Sequence, residues 1–326
     1  MKKLGVVSLL VCMCLTLVAC NEEEKAEGHA TIGVIQYAEH PALDKTYEGF
    51  IDALKEEGFE EGKNLTINRN NAQSDSSTNE TIADKLVNDN PDLIYAIATP
   101  SAQAVAQKTQ DIPIVVNAVT DPKTSGIVAC NEEPGGNVTG VSDLTPVKEQ
   151  ISLIKEFMPD VKKVAIMYTN SEDNSKFQAD IAAEALKKEG IEYQETTVSD
   201  ISQIQQVAES LVGQVDAVYI PTDNLLAEGI ATVTQVTNEK GIPCIVGEKG
   251  MTEGGGLASY AIDYYKLGQL AGKQAAKILR GEAVAADMPI EYLTGDELEL
   301  VINKKVADLV NITIPESLLD KATVLE

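Results

Sequence analysis

The sequence predicts an α/β protein of two lobes, each a parallel sheet flanked by helices, with a ligand cleft between them. Three observations carry this. Strand-like apolar runs alternate with helical patterns, which calls for parallel sheets covered on both faces. The alternation is written twice, in the same order, between Thr31 and Val246. The chain of 326 residues is long enough for two domains of ordinary size.

The first half opens with a strand over 31–37. A helix over 43–57 follows, with Tyr47, Phe50, Ile51 and Leu54 at helical spacing and Gly58 to stop it. Next come a polar strand over 64–69, a helix over 79–88, a strand over 91–97, a helix over 101–108 and a strand over 112–116. The second half repeats the order: strand 163–168, helix 175–188 stopped by Gly190, strand 191–197, helix 201–212, strand 215–220, helix 226–239 and strand 242–246. Details match as well. Lys55-Glu56-Glu57-Gly58 answers Lys187-Lys188-Glu189-Gly190, and each half has a strand starting Ile-Pro. Each half therefore reads as a Rossmann-like lobe, the two joined by a multi-strand hinge. Lobe 1 is expected over 31–145 with a return near 263–288. Lobe 2 is expected over 146–262 with the segment 289–326. In open parallel sheets ligands bind beyond the carboxyl ends of the strands. Gly254-Gly255-Gly256 lacks the spacing of a dinucleotide loop and is expected to be a flexible crossover between lobes.

The N-terminus reads as an address. Lys2 and Lys3 precede an apolar run, Leu4 to Val18, that is too short to favour a spanning helix. Leu17-Val18-Ala19-Cys20 then has the layout of a bacterial lipobox, with 1–19 as signal peptide and Cys20 as the lipidated residue. The other reading is an ordinary signal peptide or N-terminal anchor with Cys20 incidental. Residues 20–30 are polar and read as a disordered tether, which puts the body on the extracytoplasmic face of the membrane, held by lipid.

Composition narrows the function. A net charge of −25 argues against nucleic acid as a partner. Of five cysteines, Cys130 and Cys244 remain beyond Cys20, which is no disulfide framework. With two histidines, His29 and His40, and no Cys-x-x-Cys pair, no metal site and no cofactor are expected. No nucleophile elbow and no Walker loop is present, so an enzyme is not expected.

The strand-end loops are the most distinctive segments. They include Gln36-Tyr37-Ala38-Glu39-His40-Pro41, Ala98-Thr99-Pro100-Ser101, Val119-Thr120-Asp121-Pro122, Tyr168-Thr169-Asn170-Ser171-Glu172-Asp173-Asn174-Ser175, Pro221-Thr222-Asp223-Asn224, Gly247-Glu248 and Asp263-Tyr264-Tyr265-Lys266. In this order and spacing the set resembles the ABC-transporter substrate-binding lipoproteins whose better-known members carry tryptophan, tyrosine or phenylalanine. The resemblance implies a type I periplasmic-binding-protein-like fold, hinge closure on a small ligand, a monomer, and permease and ATPase subunits as partners. It also implies an aromatic L-amino acid as ligand. Another amino acid, a nucleoside or a sugar stays open, as does use as a surface sensor or adhesin.

A zwitterion needs an anion site, a carboxylate for its ammonium and a shaped wall. Thr99 and Ser101 in one lobe and Thr169, Ser171 and Ser175 in the other sit at strand-to-helix junctions, where unpaired N–H groups attract a carboxylate. The same residues serve as ordinary N-caps. Asp121, Asp223 and Asp263 follow apolar runs and are candidates for the ammonium, with Asp223 first because Thr222 and Asn224 flank it. Gln36 opens the first strand-end loop segment, beside Tyr37, which ends the first strand. Tyr37 is the candidate for aromatic stacking, or else a core tyrosine. His40 reads as a hydrogen-bonding wall residue. Glu248 either lines the cleft or caps the segment at Lys249.

Overall fold

The computed structural model describes residues 28–326. The expected signal peptide, Cys20 and most of the tether lie outside them. The tether ends sooner than expected, because Ala30 already begins the first strand.

The first lobe is built from β1 (Ala30–Gln36), α1 (Pro41–Glu56), β2 (Leu65–Asn71), α2 (Ser76–Asn88), β3 (Leu93–Ile97), α3 (Thr99–Ala106), β4 (Ile114–Asn117) and β5 (Val138–Ser142). The chain then crosses to the second lobe. That lobe holds α4 (Val147–Phe157), β6 (Lys163–Thr169), α5 (Asp173–Glu189), β7 (Glu192–Val198), α6 (Ile204–Ser210), β8 (Ala217–Ile220), α7 (Asn224–Glu228), α8 (Ile230–Glu239), β9 (Cys244–Val246), α9 (Lys249–Glu253) and β10 (Ala258–Ile262). A second crossing leads to α10 (Tyr264–Leu279) and β11 (Glu291–Tyr292) on the first lobe. A third leads to β12 (Leu298–Asn303), α11 (Lys304–Leu309), α12 (Glu316–Leu319) and β13 (Ala322–Leu325) on the second.

The sheets run β11-β5-β4-β3-β1-β2 and β13-β12-β10-β9-β8-β6-β7. All pairings are parallel except β10 with β12. Read from β2 and from β7, both lobes share the strand order 2-1-3-4-5. That order reverses direction between the first and third strands of each lobe, which opens a crevice at their carboxyl ends. The central strands are buried throughout, as in Leu93–Ile97 and Ala217–Ile220, because helices cover both faces.

Local chemistry explains the elements. In α1 Pro41 occupies the first turn, where its missing N–H costs nothing, and Leu43, Phe50 and Leu54 turn inward. Phe50 stacks on Tyr95 with ring centroids 3.7 Å apart. Tyr47 instead lies under Arg69, 3.9 Å from its ring centre. Gly190 ends α5 with φ +71°, a left-handed turn that glycine adopts without strain. Helices α1 and α10 pack unusually close. A Cβ on Gly268 would stand 2.1 Å from the Thr46 carbonyl oxygen, and one on Gly49 2.0 Å from that of Tyr265.

Three expectations need correction. The helix expected over 226–239 is two helices broken at Gly229, where a Cβ would meet Ile204 at 2.3 Å. Gly254-Gly255-Gly256 is no crossover: it joins α9 to β10 inside the second lobe, packed against Ile230 and Thr234. The three crossings fall at 143–146, at Asp263 and at 293–297. The segment 289–326 is not all on lobe 2, because Glu291 and Tyr292 pair with Val141 and Ser142 in the first sheet.

Candidate ligand-binding site

The carboxyl ends of the two sheets face each other across an enclosed cavity. It is lined by His40, Leu43, Ala118, Thr120, Asp143 and Tyr264 from the first lobe and its crossings. Asn174, Thr222, Asp223, Asn224, Ala227 and Glu248 line it from the second. Its volume is about 20 Å³, room for roughly one water. Two hydrogen bonds clasp the rim: Ser74 Oγ donates to Glu228 Oε2 at 2.6 Å and Gln103 Nε2 to Asp173 Oδ2 at 2.8 Å. A wider cavity of about 350 Å³ opens beside it, lined by Tyr37, Ser74, Asp75, Ser171, Glu172, Asp200 and Glu228 among others.

Four carboxylates are buried here: Asp143, Glu172, Asp223 and Glu248. No lysine or arginine lines the enclosed cavity, and none of the ion pairs among the described residues involves these four. Each is held by donors instead. Asp223 accepts from the Thr169 backbone N–H at 2.6 Å, the Thr169 hydroxyl at 2.7 Å and the Leu226 N–H at 2.8 Å. It thereby caps α7 and ties the end of β6 to the end of β8. Glu172 accepts from Asn174 Nδ2, from the backbone and side chain of Asn224 and from the Leu225 N–H. Glu248 caps α9 through the N–H groups of Gly250 and Met251. Asp143 accepts the Tyr264 hydroxyl at 2.8 Å and the Thr120 hydroxyl at 3.2 Å.

Burial raises the pKa of all four, since it penalises the charged form. It pushes Glu248 up to about 7 and raises Asp143 and Asp223. Glu172 is raised by burial and then by the charge of Asp223 beside it, while its donors pull it back. Buried carboxyl groups with no cation beside them favour any positive group that enters, since it would offset the cost of their ionisation. What the chamber can do chemically is hold a small cation or the positive end of a dipolar molecule.

Several buried polar atoms have no partner at full hydrogen-bond geometry: the Thr99 hydroxyl, Asn174 Oδ1 and both ring nitrogens of His40, beside which the Asn224 side chain makes only a weak approach. Buried polar groups are nearly always paired; of these residues, His40 and Asn174 line the enclosed cavity. Burial lowers the His40 pKa to about 4. The ring is therefore neutral at physiological pH, with one donor and one acceptor nitrogen.

Of the expected residues, His40, Thr222, Asp223, Asn224 and Glu248 line the enclosed cavity. Glu248 both lines it and caps α9. Tyr37, Thr169 and Ser171 lie on the wider outer cavity, and Tyr37 donates to the Ser74 carbonyl. Burial, with Glu172 next, pushes that phenol up to about 12. Gln36 is a buried brace, donating to the Ala38 carbonyl and to Asp44. Ser101 is committed within its lobe, donating to Asn79 at 2.8 Å. Ser175 is buried, and its hydroxyl accepts from Asn174; α5 begins before it at Asp173, so it is not at a free helix end. Asp121 is a turn carboxylate accepting from Thr124 and Asn131. Asp263 is an exposed cap on α10, accepting from the N–H groups of Tyr265 and Lys266. Neither aspartate lines the enclosed cavity.

Asp143, Glu172, Asn174, Thr120 and Tyr264 were missed as site residues. A faint signal for Asp143 existed: it is an acid directly after a strand, though Val138-Thr139-Gly140-Val141-Ser142 is only weakly apolar.

Two doubly wound lobes shut over a chamber at their strand ends define a solute receptor that encloses its ligand. The chain belongs to the ABC transporter substrate binding protein family, whose model matches residues 31–325. Members of this family bind rather than catalyse, and they work outside the cytoplasm. The chain is 44% identical over 288 residues to a tyrosine-binding protein of Clostridioides difficile strain R20291, covering 88% of this chain and 83% of that one. A Streptococcus pneumoniae ABC domain solved with L-Trp superposes with a TM-score of 0.87 at 38% identity, covering 91% of this chain and 100% of that one. A ligand-free, open Clostridium difficile substrate binding protein with adhesive properties superposes with a TM-score of 0.68 at 40% identity, covering 91% and 99%.

Proposed function

We propose that the protein is the extracytoplasmic receptor of an ABC importer for an aromatic L-amino acid, bound as a zwitterion by closure of the two lobes. The observation that carries this reading is the contrast in TM-score. At nearly equal identity, the chain matches the L-Trp complex at 0.87 and the ligand-free open relative at 0.68. Sequence divergence does not account for that difference, and a closed arrangement of the lobes, as in a liganded relative, is consistent with it. The cluster of buried carboxylates supplies the ammonium site. The unpartnered Thr99 hydroxyl at the head of α3 suits the carboxylate, and Tyr37 and Leu225, on the cavity of about 350 Å³, offer wall to the ring. His40 and Asn174 supply the remaining polar contacts.

Calorimetry with L-tryptophan, L-tyrosine and L-phenylalanine tests the ligand. Binding tighter than millimolar by at least one is expected, with a more compact particle by X-ray scattering. If none binds and a sugar or nucleoside does, the aromatic assignment fails and the receptor class stands. A second role in surface attachment is favoured by one finding, the relative described as having adhesive properties.

Delivery implies permease and ATPase partners and an anchor near them. Lipid on Cys20 is the proposed anchor, two or more acyl chains giving stable attachment where one is marginal. Among the described residues no helix is long and apolar enough to cross a membrane. Cys20→Ala is expected to move the protein from the membrane fraction to the soluble one, folded and binding as before. Unchanged fractionation, with no lipid on the wild-type protein by mass spectrometry, would refute the anchor.

A further inference from the structure

Resting on the receptor reading above, we propose that Ser74 is a positioning residue that ties the wall of the ligand's ring to the latch holding the lobes shut. Ser74 lies in the short loop between β2 and α2, and its hydroxyl donates across the cleft to Glu228 Oε2 at 2.6 Å. Glu228 ends α7 in the second lobe. Both residues line the cavity of about 350 Å³, and so do Tyr37 and Leu225, the two walls offered to a ring.

The same residues are linked within each lobe. In the first, the Ser74 backbone N–H donates to the Tyr37 carbonyl at 2.8 Å, and the Tyr37 hydroxyl donates to the Ser74 carbonyl at 3.3 Å. The phenol and the serine therefore move as one piece. In the second, Leu225 and Glu228 stand three residues apart on α7, neighbouring positions on one helix face. The Ser74–Glu228 bond thus joins the piece that carries one wall to the helix that carries the other. A ring that draws Tyr37 and Leu225 together brings the serine hydroxyl to its acceptor. That bond must break before the ring can leave.

The backbone of the loop points the same way. Gln73 and Ser74 have φ of +54° and +59°, a left-handed region that residues with a side chain seldom occupy. Glycine would fit such a turn without steric cost. The strained form is held by the two bonds to Tyr37, by the Gln73 N–H on Asn71 Oδ1 at 2.8 Å and by the Asp75 N–H on the Ala72 carbonyl at 3.1 Å. Strain held in place by its surroundings clusters at ligand clamps. Here it keeps a hydroxyl aimed at the other lobe, which glycine could not do.

The second bond across the cleft is of a different kind. Gln103 donates to Asp173 at 2.8 Å but also to the Ser125 carbonyl at 2.9 Å, and neither Gln103 nor Asp173 lines the cavity. Among the described residues the Ser74 hydroxyl has Glu228 as its one partner.

The test is the rate of ligand release. The chain contains no tryptophan, so stopped-flow release of L-tryptophan is followed by the ligand's own fluorescence. Where the wild type binds only L-tyrosine or L-phenylalanine, release of the radiolabelled amino acid replaces it. Ser74→Ala should release ligand about three- to tenfold faster, the effect of losing one exposed bond to a charged group, with association little changed. Glu228→Ala should do the same. The double variant should be no faster than either single one, since both remove the same bond. Tyr37→Phe, which keeps the ring, should speed release in the wild-type background and add nothing in Ser74→Ala. Ser74→Gly eases the backbone and removes the hydroxyl. It should melt no lower than the wild type yet release ligand as fast as Ser74→Ala, a pattern that a merely structural loop would not give. It also serves if the alanine variant does not fold. Unchanged release in Ser74→Ala, factors that multiply when Ser74→Ala and Glu228→Ala are combined, or a full separate effect of Tyr37→Phe in the Ser74→Ala background overturns the proposal. Failure of every aromatic amino acid to bind the wild type overturns the ligand assignment, and the link to a ring with it.

Discussion

Gly268→Val should unfold at a temperature lower by about 5 °C or more, a loss on the order of 3 kcal/mol. The residue sits where α10 crosses α1. Its Cβ would stand 2.1 Å from the Thr46 carbonyl oxygen and 2.8 Å from the Phe50 nitrogen, both rigid backbone atoms. No rotamer relieves such a contact, so the helices must separate. Separation loosens Phe50 from its stack on Tyr95 and opens the core beneath. Gly190→Ala is the control. It has the positive φ of +71° but nothing within 4 Å, so it should cost only about 1 kcal/mol. Thermal melts of the two variants decide the matter. Equal small losses would mean that the close crossing carries no weight.

Asp223→Ala should lower both stability, by about 2–4 kcal/mol, and affinity for the ligand, by tenfold or more. The alanine leaves the N–H groups of Thr169 and Leu226 and the Thr169 hydroxyl without their acceptor. Hydrogen bonds to a charged group are worth roughly 1.5–3 kcal/mol each. Relief of repulsion with Glu172 offsets part of the loss, but two like charges even at contact cost only about 4 kcal/mol at an effective dielectric near 20. The donors win. The affinity falls because Asp223 sets the relation between the ends of β6 and β8, from which Glu172, Asn174 and Asn224 reach the site. A melt unchanged from wild type, with affinity alone reduced, would mean that Asp223 is a ligand contact and not a brace.

This contrast shows what the sequence could carry. Strand and helix alternation is a local pattern, so the doubled order of elements was legible from apolar spacing alone. The hinge was not. Strand β5 is five residues with Gly140 at its centre, where a Cβ would meet the Val116 oxygen at 2.0 Å. Its apolar signal is weak for that reason, and with it went Asp143. The aspartates were hard to sort because an acid after a strand looks the same whether it faces a cavity, as Asp223 does, closes a turn, as Asp121 does, or caps a helix in solvent, as Asp263 does. Only burial separates them, and burial depends on which element the fold lays over each loop. Glu172 stood in a quoted loop but gave no sign of its depth. It is enclosed because Asn224 and Leu225, from a helix more than one strand away in sequence, donate into it.

The threading of the chain also governs how the molecule can be made. Neither lobe is one continuous piece. Helix α1 packs against α10, and the first sheet ends on β11 at Glu291–Tyr292. A chain delivered from its N-terminus has therefore emerged almost whole before the lobe that emerged first can finish. Until then α1 lacks its closest neighbour and keeps an apolar groove open to water, the kind of surface that invites aggregation. Cutting the gene between the halves would yield two incomplete fragments and not two working domains. The same interlacing gives the finished protein three covalent connections between its lobes, so they cannot drift apart.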